Sequence, residues 1–294
     1  MIKTLAAQIK EFKKDSVLTP IFMILEVLFE TMIPFLMASI IDKGVETGDI
    51  WHICKVGIAM AILALCGLWA GMMGAKYASR ASAGFARNLR KAMYDNIQTF
   101  SFSNIDKFST AGLITRLTTD VTNLQMAYQM LLRMFTRAPA SLICAMVMAF
   151  TINAELASIY LMAVIGLGIC LVLIMSRATK YFQQVFKKYD ELNASVQENI
   201  SGIRVVKAYV REDYENNKFF KAAENVYKMF IKAENIIVAN MPLMMFAVYA
   251  CILGLSWLGA NMIVVGDLTT GELMSLLTYC MNIMMSLMML SMIF

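Results

Sequence analysis

The sequence predicts an all-α integral membrane protein with six transmembrane helices and long cytoplasmic helical extensions. Its mean hydropathy is +0.63 and only 16% of its residues are charged, whereas soluble domains carry about 25% charged residues. Apolar runs recur along the chain and reach or approach the roughly 20 residues that cross a hydrocarbon core. A soluble domain is therefore excluded.

The apolar runs define the predicted spans. In the third run, Arg133 and Arg137 interrupt the first half, so this span has the weakest apolar signal of the six. The predicted spans are residues 16–41, 56–78, 126–150, 156–175, 236–258 and 273–294.

The placement of basic residues predicts the orientation. Of the 26 lysines and arginines, 24 lie before the first span or in the regions 76–137 and 177–232, which leaves only Lys43 and Lys55 for the other side. Positive residues stay cytoplasmic, so both chain ends are predicted to be cytoplasmic. The net charge of +5 therefore follows from topology. It does not indicate a nucleic-acid partner, which would need a basic patch interleaved with aromatic residues.

The inner connections are long and the outer ones short. Roughly 50 residues separate spans two and three, and spans four and five, with helical spacing of apolar residues and no proline. We therefore expect the helices to run on past the bilayer. Residues 1–15 predict an amphipathic helix on the inner membrane surface, because Ile2, Leu5, Ile9 and Phe12 share one face. A frayed terminus is the alternative.

Cysteine and histidine usage predicts no metal site and no disulfide framework. The six cysteines are scattered without CxxC spacing, and His52 is the only histidine in the sequence. Cysteine as a small apolar packing residue accounts for the pattern better.

Three segments carry a family resemblance. GLITRLTTDV and NISGIRVVKAYVREDYENNKF lie on the two inner hairpins, and GDLTTGELMSLLTYCMNIMMSLMML leads into the last span. Together they resemble the transmembrane domain of type I ATP-binding cassette (ABC) exporters. The last segment is most similar to bacterial multidrug exporters whose half-transporters pair as heterodimers.

The resemblance implies that each inner hairpin ends in a short coupling helix that docks on an ATPase domain. Tyr209 would take the aromatic docking position. The first coupling helix would comprise Asn104, Ile105, Asp106, Lys107, Phe108 and Ser109, and the second Ala208, Tyr209, Val210, Arg211, Glu212, Asp213, Tyr214 and Glu215.

The resemblance also implies partners that this chain lacks. No segment matches the phosphate-binding pattern GxxxxGK[ST], so we expect no ATP hydrolysis by this chain. We expect a membrane half, truncated before the nucleotide-binding domain on which ATP and Mg²⁺ would bind. The expected partners are nucleotide-binding domains, a second half-transporter (preferably a different one), membrane lipid and hydrophobic small molecules, in the plasma membrane.

Two features suggest a substrate cavity. Glu26 and Glu30 lie mid-span on one helical face, where charges are costly and rarely aimed at lipid. They are either an acidic pair that attracts cationic compounds or a structural pair bonded to a neighbouring helix through Arg133 or Arg137. Methionines line one face of the last span and suit a surface that repacks around ligands, although ordinary packing also explains them. The candidates are Glu26, Glu30, Phe246, Tyr249, Tyr279, Met281, Met285 and Met288.

The predicted function is ATP-driven export of amphipathic, multidrug-type compounds by alternating access. Export of lipids or peptides is the first alternative. An ion-coupled secondary transporter that uses Glu26 and Glu30 is the second, and the long paired hairpins argue against it.

Overall fold

The computed structural model describes residues 2–101 and 108–293, and these residues are almost entirely helical. Six of the helical stretches are long and apolar enough to cross a membrane, which confirms the predicted fold class. The helices are α1 (Ile2–Ala6), α2 (Lys13–Ile40), α3 (Ile50–Gln98), α4 (Thr110–Thr115), α5 (Val121–Ile152), α6 (Ala154–Ser201), α7 (Ile203–Ala208), α8 (Glu212–Val238), α9 (Asn240–Val265) and α10 (Thr270–Ile293), with a 3₁₀ turn at Ala7–Phe12 and π turns at Ile41–Val45 and Arg116–Asp120.

Two helices are much longer than a bilayer needs. The helix α3 has 49 residues and α6 has 48, so each is roughly 70 Å long, against a hydrocarbon core of about 30 Å. The return path of the second hairpin is divided into α8 and α9 near Pro242. Proline lacks an N–H and cannot donate to the carbonyl of Val238, four residues earlier, where α8 ends.

The chain divides into two compact units, Met1–Leu161 with Cys251–Ile293 and Met162–Ala250. In the first unit, α2 packs along α3 through small residues. Gly67 lies beside Phe29, Gly71 beside the Glu26 carboxyl group and Gly74 beside the Met23 methyl group. Small residues let helix backbones approach closely.

The helix α10 is tied to α2 by hydrogen bonds. Tyr279 Oη donates to the Thr31 carbonyl at 2.7 Å, and Ser275 Oγ donates to the Pro34 carbonyl at 2.6 Å. Thr269 and Glu272 form a reciprocal capping box at the start of α10. The bonds of Tyr279 and Ser275 are buried and satisfy polar groups that the membrane interior cannot solvate.

The N-terminal segment differs from the single predicted amphipathic helix. After α1 the chain forms a 3₁₀ turn, and Lys10 adopts a left-handed φ of 41°, which interrupts the helix because a Cβ is disfavoured there. Leu5 and Ile9 pack against a buried cluster that contains Phe85 and Leu89. Protein therefore covers part of the face that was expected to meet the membrane, and contact with the membrane surface remains a prediction.

The tip of the second hairpin also differs from the prediction. The short helix is α7, which ends at Ala208, whereas the predicted coupling helix 208–215 is a turn followed by the start of α8. Val210 has φ 50°. The Arg211 N–H donates to the Val206 carbonyl at 3.0 Å and the Val210 N–H to the Lys207 carbonyl at 3.3 Å. This pair of bonds is the Schellman arrangement that ends helices, with a β-branched residue where glycine is usual.

We expect Val210→Gly to stabilise this turn by about 1 kcal/mol, because a left-handed φ costs a residue with a Cβ roughly that much. In hydrogen-exchange mass spectrometry, the segment that contains Arg211 should exchange about fivefold more slowly. Val205→Gly is the matched control, since Val205 is exposed but lies inside α7 and glycine there should speed exchange. Equal effects of the two changes would contradict the strain at Val210.

Candidate functional site

Three charged side chains meet between α2 and α5. Arg137 Nη1 donates to Glu26 Oε1 at 2.7 Å, and Arg137 Nη2 donates to Glu30 Oε2 at 2.8 Å. One guanidinium group therefore holds both predicted acidic residues. This is the structural pairing that the sequence left open as an alternative to a free acidic pair.

The two glutamates differ in burial. The side chain of Glu26 is 18% exposed and that of Glu30 is 57% exposed. The Glu26 carboxyl group lies where a Cβ on Gly71 of α3 would approach it to 3.0 Å. Its Oε2 is buried and finds no hydrogen-bond partner among the described residues. Glu26 is thus the acid that depends most on Arg137, because a buried charge without a partner is costly.

A cavity of about 440 Å³ lies beside these charges, within the first unit. It is formed by α2, α5 and α10, and neither Glu26 nor Glu30 lines it. Its surface combines thioether, amide and guanidinium groups. The lining residues are Met23, Met126, Gln129, Met130, Arg133, Met134, Arg137 and Met289.

The two arginines of the cavity are in different states. Arg137 forms ion pairs with the carboxylates of Glu26 and Glu30. Arg133, one helical turn earlier on α5, is exposed and has no ion pair or hydrogen bond to any described residue. The cavity therefore offers one guanidinium group that is free to bind a ligand.

None of the eight predicted cavity residues lines this cavity. Tyr279 is fully buried, and its hydroxyl group donates to a carbonyl of α2, so in this structure it serves helix packing. Met281 and Met285 are exposed and Met288 is half-buried, but none of the three lines the cavity. In the second unit, Phe246 and Tyr249 are exposed.

The stripe of residues on α5 that forms the cavity wall was not predicted from the sequence. Met126, Met130 and Met134 are spaced four apart, as are Gln129, Arg133 and Arg137. Residues at this spacing lie on one side of a helix. This four-residue spacing is visible in the sequence. Arg133 and Arg137, however, indicated only that the third span has a weak apolar signal.

The hairpin tips keep some predicted docking residues exposed. Tyr209 is 76% exposed and Val210 is 82% exposed, while Lys207 is paired with Glu212 at 2.9 Å. On the first hairpin, Ser109 caps α4 by accepting from the Gly112 N–H at 3.1 Å, and Phe108 stacks on Phe100. Asn104, Ile105, Asp106 and Lys107 lie outside the described residues.

Removing Arg137 should cost more stability than removing Arg133. Arg137→Gln leaves the largely buried carboxyl group of Glu26 without its partner, a loss of about 2 kcal/mol or more. Arg133→Gln removes an exposed, unpaired charge and should cost under about 0.5 kcal/mol. Thermal unfolding in detergent measures both, and Glu26→Gln added to Arg137→Gln should recover part of the loss. Equal losses at the two arginines would contradict the pairing.

Comparison with known proteins identifies the family. The family described as ABC transporter transmembrane region matches residues 17–288. The chain is 32% identical over 263 residues to the uncharacterized ABC transporter ATP-binding protein YfiB of Bacillus subtilis, covering 90% of this chain and 46% of that protein. It is 29% identical over 296 residues to the uncharacterized ABC transporter ATP-binding protein Mb1304c of Mycobacterium bovis, covering 99% of this chain and 50% of that one.

A further relative has a name that states a substrate. The ATP-dependent lipid A-core flippase of Desulfotalea psychrophila is 28% identical over 203 residues, which covers 68% of this chain and 35% of the flippase. The chain spans about half the length of the curated relatives that it matches along most of its own length. It is a multi-pass membrane protein, and it belongs to the family of ABC transporter transmembrane regions.

Proposed function

We propose that this chain is the membrane half of an ATP-driven exporter that moves amphipathic compounds out of the cytoplasm or the inner leaflet by alternating access. Nucleotide-binding domains that hold ATP and Mg²⁺ would drive it. A second half-transporter would complete it, and a heterodimer with a non-identical half is favoured over a homodimer. It would lie in the plasma membrane with both ends cytoplasmic.

The long hairpins are the single observation that carries this proposal. The helices α3 and α6 extend some 40 Å beyond the thickness of a bilayer core, and α6 leads to an exposed aromatic side chain at Tyr209. A continuous helix transmits displacement along its axis, because its backbone is hydrogen-bonded throughout. Movement of a docked domain at the tip would therefore reach the spans.

The pairing of the glutamates weighs against the ion-coupled alternative. A proton-carrying acid must exchange its proton with water during the cycle. Glu26 and Glu30 are both bonded to one guanidinium group, which holds them between two helices. This pairing suits a helix clamp between α2 and α5 better than a proton path.

Transport by the complete protein, including its nucleotide-binding domains, tests the proposal. Reconstituted in liposomes, it should accumulate an amphipathic dye only when ATP and Mg²⁺ are supplied on the side of the hairpins. A non-hydrolysable ATP analogue is the control and should support no net accumulation. Accumulation driven by a proton gradient without ATP would overturn the proposal in favour of secondary transport.

Replacing Tyr209 tests the docking role of the second hairpin. Tyr209→Ala should lower the transport rate per ATP hydrolysed by about 30-fold, because a central aromatic contact at an interface contributes about 2 kcal/mol. Thermal unfolding of the spans should not change, since the side chain is 76% exposed. Phe220→Ala is the matched control, because Phe220 is 71% exposed on the same hairpin but outside the predicted docking segment. Unchanged coupling in Tyr209→Ala would refute this assignment.

A further inference from the structure

We propose that the cavity between α2, α5 and α10 binds the anionic head group of an amphipathic molecule, with Arg133 as the charged contact. The inference rests on the proposed export function and specifies its substrate class. It reverses the first of the two alternatives for Glu26 and Glu30, in which the acidic pair attracts cationic compounds.

The charge inside the cavity favours an anion. Neither glutamate lines it, and both are neutralised in part by Arg137. Arg133 lines it without a carboxylate partner among the described residues. A cationic ligand would be repelled by Arg133, whereas a phosphate or carboxylate would form a charge-assisted hydrogen bond with its guanidinium group.

Gln129 supplies a second donor on the same face. It lies four residues before Arg133, so both side chains project from one side of α5. Its Oε1 accepts from Ser82 Oγ of α3 at 3.4 Å. The side-chain carbonyl is thereby directed to α3, and the amide nitrogen, which carries two N–H donors, is available to the cavity.

The remaining wall suits an apolar tail. Five methionines from three helices line it: Met23, Met126, Met130, Met134 and Met289. Unbranched thioethers adapt to chains of different shape. The volume of about 440 Å³ lies within the range of small-molecule pockets. In this arrangement the head group binds Arg133 and Gln129, and the tail packs on the methionines. Guanidinium, amide and thioether groups then all contact the ligand.

Binding to the complete transporter tests the site without requiring transport. In a neutral detergent, dodecyl phosphate should raise the unfolding temperature more than dodecyltrimethylammonium, a cation with the same tail. Arg133→Gln should weaken dodecyl phosphate binding about tenfold or more. Arg133→Lys should retain most of the affinity because it keeps the positive charge. Arg177→Gln is the matched control: Arg177 is exposed on α6 and does not line the cavity.

Three results would overturn the site: tighter binding of the cation than of dodecyl phosphate, no loss of dodecyl phosphate affinity in Arg133→Gln, or an equal loss in Arg177→Gln.

An experiment in nanodiscs distinguishes the possible sources of the anion. Competition by phosphatidic acid in the bilayer would support the site with a lipid head group as its ligand. Absence of competition, with dodecyl phosphate still bound through Arg133, would support it with a free amphiphile.

Failure of the site and failure of the export function give different results. Dodecyl phosphate binding through Arg133, together with no ATP-dependent transport of either dodecyl phosphate or the amphipathic dye, supports the site and overturns the export function. ATP-dependent transport of an amphipathic dye that is insensitive to Arg133→Gln, together with unchanged dodecyl phosphate binding, supports the export function and overturns the site.

Discussion

The close packing of α2 against α3 is the contact on which the charged site depends. Gly71 and Gly74 let the backbones approach, and the Glu26 carboxyl group lies against Gly71. A carboxylate confined there in a membrane needs a cation, and Arg137 of α5 provides it. That ion pair joins α5 to α2, and it leaves Arg137 unavailable to other ligands. Arg133, one turn away, is left as the free charge of the adjacent cavity.

The same constraint explains how polar groups are distributed in the first unit. Lipid offers no hydrogen bonds, so several polar side chains within the spans donate to backbone carbonyls of neighbouring helices. Tyr279 and Ser275 of α10 donate to carbonyls of α2, and Tyr160 Oη donates to the Leu276 carbonyl at 2.8 Å. These bonds link α10 to α2 and α6. The cavity, in contrast, is lined mainly by flexible methionines.

The second hairpin combines a long continuous helix with a strained turn at its tip. The helix α6 is continuous to Ser201, while the turn after α7 holds Val210 in a conformation that favours glycine. Strain of this kind persists where the surrounding structure determines it, and it clusters at functional surfaces. Here it lies beside the exposed Tyr209, at the place where the family resemblance implied docking.

The sequence by itself determined the six spans and the long helices, because hydropathy and helical spacing are local properties that lipid enforces segment by segment. It also indicated that Glu26 and Glu30 needed a partner, but not which one. Only the tertiary structure decided that Arg137 takes both acids, that Tyr279 faces the core and that the cavity wall comes from α5. Helix rotation and pairing depend on contacts more than a hundred residues apart, and local periodicity does not specify which apolar or charged face meets which neighbour.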